Sequence, residues 1–210
     1  MVVEIFTIVK NGAYILPLYL EHYRKIFPNC IINIFDNNST DNSVEICLAV
    51  GCNVVNFPVY DVYKEQVHKN SVWKNSNADW VVVCDQDELI HVDLNQIPND
   101  VNVIQFEGYN MMDVTGVEDV RLFTWGSRCE TYDKCVMFKP TLSGIGFSIG
   151  SHFASPTPEA VYYKYKFRLL HYSKQWFSIK NLAAYFPTSD ISSLELLYNI
   201  SLKRVKNLQV

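Results

Sequence analysis

Four short apolar runs, separated by segments of helical spacing, fill the front of the chain and leave few folds open. The runs are Val2 to Val9, Ile31 to Phe35, Cys52 to Phe57 and Trp80 to Cys84, and they are rich in β-branched and aromatic residues. Runs of that kind suit strands buried on both faces. Between the first two, Ile15, Leu16, Leu18, Tyr19, Leu20, Tyr23 and Ile26 give one helical stripe that stops before Phe27-Pro28. Asp41 or Thr40 is placed to cap a helix through Leu48, which Gly51 terminates. Tyr63 to Asn75 reads as a third helix. Strand and helix alternating at this spacing predict right-handed crossovers and a parallel sheet.

The second half reads differently. Val101 to Phe106, Val120 to Trp125 and Cys135 to Lys139 are expected as strands joined by loops, and Ser173 to Phe186 and Ser192 to Val205 as helices. The expectation is an α/β fold on a single domain, 1–210. Its sheet is mostly parallel in the nucleotide-binding half (1–100) and mixed in an acceptor-shaping half (101–210).

Composition narrows the function. Of 210 residues, 49% are hydrophobic and 14% aromatic, enough for a packed core. The net charge is -4 with no basic block, which argues against a nucleic-acid partner. No apolar run approaches the ~20 residues that span a bilayer, and the start lacks the layout of a signal peptide. The six cysteines include no Cys-x-x-Cys pair and suit a reducing, cytoplasmic setting. The end, Lys203 to Val210, has no structural stop, as in a piece of a longer protein.

Asp85-Gln86-Asp87-Glu88 follows the fourth apolar run directly. Ligands of open α/β sheets collect at the carboxyl ends of the strands. Three carboxylates so close repel one another unless something positive sits among them. A divalent cation, Mn²⁺ or Mg²⁺, answers that need with one or two carboxylates plus substrate phosphates. Asp87 is the first expected ligand; Asp85 is expected on the metal or at a ribose, with Gln86 beside it. The alternative is a solvated acidic turn. Asp36 ends the second run at the same edge and can accept hydrogen bonds from a base or ribose. The rest of Asn37-Asn38-Ser39-Thr40-Asp41 also makes a good turn and cap. Thr7, Val9, Lys10 and Asn11 should border the same pocket.

Of the histidines, His22 reads as a packing or surface residue and His91 as a strand-edge residue or a ligand. His152 is a candidate for the diphosphate or the acceptor, and His171 for the core. Gln66, His68, Lys69 and Asn70 share one helix, with one or two able to face a nucleotide. Tyr109 and Trp125 are core residues or an aromatic plate for a sugar.

The ordered set Lys10-Asn11, Asp36 to Asp41 and Asp85-Gln86-Asp87-Glu88 resembles the GT-A fold of nucleotide-sugar glycosyltransferases, with their Asp-x-Asp metal motif. His152-Phe153 and Leu170-His171-Tyr172-Ser173, with Lys180 beyond, are similar to the closing motifs of glycosyltransferase families 2 and 92. The resemblance is nearest to a glycosyltransferase domain encoded by large viruses of algae, which implies a host cytoplasm. It implies transfer from a UDP-sugar to a glycan acceptor, with Asp36 on the base or ribose and Asp87 and His171 on the metal; Asn38, in the polar loop after Asp36, and Lys69, on the third helix, are donor candidates from the residues themselves. The family's base motif and its Gln-x-x-Arg-Trp motif are absent, which leaves Asp113, Glu118 and Asp119, between Gly108 and Glu130, as base candidates. A nucleotidyltransferase would require a glycine-rich basic loop where this chain has Val9-Lys10-Asn11-Gly12. A binding module without catalysis would not need the acid cluster.

Overall fold

The most apolar runs lie at the centre of the sheet. In a computed structural model, β1 (Val3–Val9) and β4 (Trp80–Val83) pair in parallel, and every residue of β4 is buried. The structure describes residues 1–59, 61–112, 119–123 and 125–172, excluding the side chains of Met112 and Trp125. The other strands are β2 (Ile31–Asp36), β3 (Asn53–Asn56), β5 (Glu88–His91), β6 (Val103–Met112), β7 (Trp125–Arg128), β8 (Lys134–Phe138), β9 (Ile145–Phe147), β10 (Ala154–Pro156) and β11 (Phe167–His171). Among the described residues one sheet runs β3-β2-β1-β4-β8-β6-β11-β5, with β7 on β6, while β9 and β10 form a separate hairpin.

From β3 to β4 all pairs are parallel, as the crossovers predict. Beyond β4 the sheet is mixed: β8 is antiparallel to β4 and β6, β11 is parallel to β6, and β5 is antiparallel to β11. This is the α/β arrangement expected, parallel in front and mixed behind.

The helices are α1 (Leu16–Ile26), α2 (Ser43–Ala49) and α3 (Val62–Lys69). Buried Leu16, Tyr19, Leu20 and Tyr23 carry the expected stripe of α1. The Tyr19 and Tyr23 hydroxyls both reach Cys84 Sγ at 3.3 Å, which docks α1 over the end of β4. All six cysteines are free thiols. No helix among the described residues is long and apolar enough to cross a membrane.

Several expectations require correction. The third helix ends at Lys69 rather than Asn75; its C-cap, Asn70, accepts from Phe147 N at Oδ1 (2.7 Å). Val120 to Trp125 is not one strand: Val120–Leu122 is a 3₁₀ turn capped by Asp119, and β7 begins only at Trp125. The N-cap of α2 is Asn42, which makes no side-chain cap bond; Asp41 instead accepts from Ser43 N (3.1 Å) and Ala13 N (3.1 Å). The helices expected over 173–186 and 192–205 lie outside the described residues, as does Lys180.

Candidate functional site

Three loops meet at the carboxyl ends of the parallel strands. Asn11, at φ 50°, donates its N–H to Ser39 Oγ (3.0 Å) and accepts from Thr40 N at its Oδ1 (2.8 Å). Gly12 N donates to Ser43 Oγ (2.8 Å). Gln86 ties in the third loop, accepting from Lys10 N (3.1 Å) and donating to Lys10 O (3.2 Å). A Cβ on Gly12 would lie 2.5 Å from Gln86 Oε1, so a side chain there would displace the Gln86 amide from Lys10. Ser39, Thr40 and Asp41 therefore act as turn and stitching residues, and Gln86 as a clamp between loops.

The remaining donor candidates fall around this rim. Asp36 is buried, and both its oxygens lie 3.3 Å from Ser39 N. Thr7 is buried, and its hydroxyl lies 3.5 Å from the Ile8 backbone oxygen. Val9 is fully buried beside Asp36, Lys10 is exposed, and Asn38 holds a left-handed φ of 52°.

Below the rim the acid cluster divides. Lys69 Nζ forms an ion pair with Asp85 and donates to Ser151 Oγ (2.6 Å). Lys134 Nζ lies 2.5 Å from Glu88 Oε1 and 4.0 Å from Asp85 Oδ2, and donates to Ser151 O (2.6 Å). Both lysines and Glu88 are buried. For Asp85 and Glu88, then, the positive charge expected from a cation is supplied by two lysines. Burial pushes the Asp85 carboxyl up, but Lys69 and then Lys134 outweigh it and hold it below its ordinary value. Gly150 and Ser151, at φ 74° and 56°, make the kink that turns both Ser151 oxygens onto the lysines.

Among the described residues no lysine forms an ion pair with Asp87. Burial, then the charges of Asp85 and Glu88, raise its carboxyl to about 7. Its Oδ2 faces His171 Nε2 at 3.5 Å, beyond a good hydrogen bond. His171 is held at Nδ1 by Asn110 Oδ1 (2.9 Å) and stacks on Tyr132 at 3.9 Å. Burial, then Lys134, lowers its imidazole to about 4, so the ring is neutral near neutral pH, the form that ligates metals. His152 is exposed at the edge of this corner, 5.6 Å from the Tyr132 ring.

No group of three or more His, Cys, Asp or Glu side chains among the described residues is arranged to hold a metal. The pair Asp87 and His171 nevertheless fits two positions of a divalent shell, since hard cations commonly take few protein ligands and fill the rest with substrate phosphate and water.

The structure places Asp87 against His171, with Asp85 on the same loop and His152 at the edge near Tyr132. Sequence reasoning missed Lys134, Asn110, Tyr132 and Ser151, whose roles depend on strand pairing. Lys69, a candidate for the donor, is buried and paired with Asp85. Of the base candidates, Asp113 and Glu118 lie outside the described residues. Asp119 is ion-paired with Arg121 (2.6 Å), and that hydrogen bonding holds it at about 2, which makes it a weak proton acceptor. Tyr109 lies under Arg128, 5.7 Å from its guanidinium, and the Trp125 side chain is outside the described set. His22 Nε2 donates to the Ile90 backbone oxygen (2.7 Å) as a packing residue, with the His91 ring 4.8 Å away.

No protein-family model matches the chain, and no curated protein matches it. Solved structures do. The crystal structure of S. aureus TarS 1–349 is 11% identical, with 82% of this chain and 60% of that chain covered and a TM-score of 0.49. The mannosyltransferase PcManGT from Pyrobaculum calidifontis, in complex with GDP-Man and Mn²⁺, is 11% identical over 77% of this chain and 56% of that one, with a TM-score of 0.42. Mannosyl-3-phosphoglycerate synthase from Rubrobacter xylanophilus is 13% identical over 53% and 41%, with a TM-score of 0.33. The chain is thus similar to parts of these proteins and spans less than two thirds of each.

Proposed function

We propose that the chain is a glycosyltransferase that moves a sugar from a nucleotide diphosphate donor, a UDP-sugar by the family resemblance, to a hydroxyl of a glycan acceptor. The observation that carries this reading is the Asp87–His171 corner. It combines an uncompensated carboxylate and a neutral imidazole at the carboxyl edge of parallel strands, on the same rim as Asp36. Asp87 and His171 would hold Mn²⁺ or Mg²⁺, which when bound supplies positive charge to a departing diphosphate.

The chain's own residues have distinct tasks in this reading. The Asp36 carboxylate, which accepts from Ser39 N, would also accept from a base or ribose. Lys69 and Lys134 keep Asp85 and Glu88 charge-neutral, so the loop before β5 stays in place next to Asp87. His152, exposed on the β9–β10 turn 5.6 Å from Tyr132, would be available to an acceptor on that side. In the transfer the acceptor oxygen bonds to the anomeric carbon, the bond from that carbon to the phosphate oxygen breaks, and the hydroxyl proton passes to the departing diphosphate or to water.

The test is a panel of nucleotide sugars incubated with Mn²⁺ or with EDTA, read by release of nucleoside diphosphate. Release from one donor that EDTA abolishes is the expected result. Asp87→Ala should lower it by about 10²–10³-fold, the scale of losing one major electrostatic stabiliser. Near-normal release in that variant would overturn the assignment of Asp87. Pyrophosphate released from a nucleoside triphosphate would replace this reading with a nucleotidyltransferase.

A further inference from the structure

We infer that Asn110 is a positioning residue for this corner: its side-chain carbonyl fixes the tautomer of His171 and so turns a lone pair of the imidazole onto Asp87. The inference rests on the proposal that the corner takes a divalent cation. Asn110 and His171 are paired in register on adjacent parallel strands, β6 and β11, and both are buried. Asn110 Oδ1 lies 2.9 Å from His171 Nδ1. A carbonyl oxygen only accepts, so Nδ1 carries the proton and the neutral ring has its lone pair on Nε2. That nitrogen faces Asp87 Oδ2 at 3.5 Å. When Asp87 is ionised, two acceptors face each other, an arrangement that a cation relieves.

The ring plane is fixed independently. Tyr132 stacks on the imidazole at 3.9 Å and 27°. Tyr132 sits that close because Gly108, two residues before Asn110 on β6, has no side chain: a Cβ there would lie 2.4 Å from Tyr132 Cβ and 2.7 Å from its backbone carbon. Asn110 thus sets which nitrogen is free, and Tyr132 sets how the ring is turned. Outer partners of this kind typically change metal affinity by about 10–100-fold when removed.

The experiment measures Mn²⁺ binding to the full chain by electron paramagnetic resonance, with and without UDP, in the unaltered protein, Asn110→Leu and Asn110→Asp. Binding in Asn110→Leu should weaken about 10–100-fold. Asn110→Asp, which still accepts from Nδ1, should retain affinity to within a few-fold. Nitrogen-15 NMR of His171 in the metal-free, unaltered chain should show the Nδ1–H tautomer. An Nε2–H tautomer, or unchanged Mn²⁺ affinity in Asn110→Leu, would overturn the positioning role and leave the metal corner standing. No Mn²⁺ binding by the unaltered chain, with or without UDP, would overturn the metal reading and this inference with it. Because the tautomer is read on the unaltered chain, the test stands even where Asn110→Leu fails to fold.

Discussion

Asp85 and Glu88 on one side, and Asp87 between them, share one loop but have opposite surroundings. Asp85 and Glu88 each have a buried lysine, and both lysines bond to Ser151. Asp87 has a neutral imidazole and a carboxyl raised to about 7. The difference separates residues that maintain the fold from one whose charged form the fold penalises. A group destabilised in this way is what a binding site retains at a cost in stability.

The sharpest way to break the comparison is to remove a lysine. Lys134→Met leaves Glu88 charged, buried and unpaired, and should cost about 3–5 kcal/mol of stability by urea unfolding. Adding Glu88→Leu should recover much of that loss, since replacing both members of a buried pair is often close to neutral. Asp87→Asn should do the opposite of Lys134→Met and leave stability unchanged or higher, because it removes a carboxylate that burial disfavours. If Asp87→Asn unfolded the protein as Lys134→Met does, all three carboxylates would be structural.

A smaller effect separates the two lysines. Ser151→Ala removes the Oγ acceptor of Lys69 but keeps the backbone oxygen that Lys134 uses. The expected loss is about 1–3 kcal/mol, that of leaving one buried donor short of a partner. A loss as large as that of Lys134→Met would mean that the hydroxyl holds the whole turn.

The parallel front half and the acid cluster were legible in the sequence for a shared reason. Strands buried on both faces must be apolar throughout, so Trp80 to Cys84 stands out, and a charged run directly after it falls at the sheet's carboxyl edge. The back half gave weaker signals. Glu88–His91 is a four-residue strand whose first residue belongs to the acid run, so it reads as the end of a turn. Phe167–His171 is preceded by alternating tyrosines and lysines that mask its apolar core. β9 and β10 have three residues each, too few for a period to show. The partners of the site were hidden by distance along the chain. Asn110 meets His171 across 61 residues and Lys69 meets Ser151 across 82, and nothing in a local window marks either pairing. The metal argument was incomplete for the same reason: like charges in sequence predicted a cation, and the fold supplied two from elsewhere.

The smallest expected effect reads the Lys69 charge through its neighbour. The His68 ring lies 4.2 Å from both Phe35 and Phe57, and its Nε2 is buried without a hydrogen-bond partner. Burial, then the adjacent Lys69 charge, lowers its imidazole to about 4. The sign follows from linkage. Between pH 6.5 and about 4 the unfolded chain binds a proton at His68 that the folded chain refuses, so stability falls as the pH drops through that window. Above about pH 6.5 both states are neutral there and His68 contributes no slope. His68→Phe should flatten this part of the profile, measured by urea unfolding at a series of pH values. Lys69→Met should move the His68 midpoint upward by NMR titration while leaving it below the free-histidine value, since burial remains. A midpoint that did not move would mean that Asp85 already screens Lys69 from its surroundings, and the lysine-paired carboxylates would then be electrically silent even to their nearest neighbour.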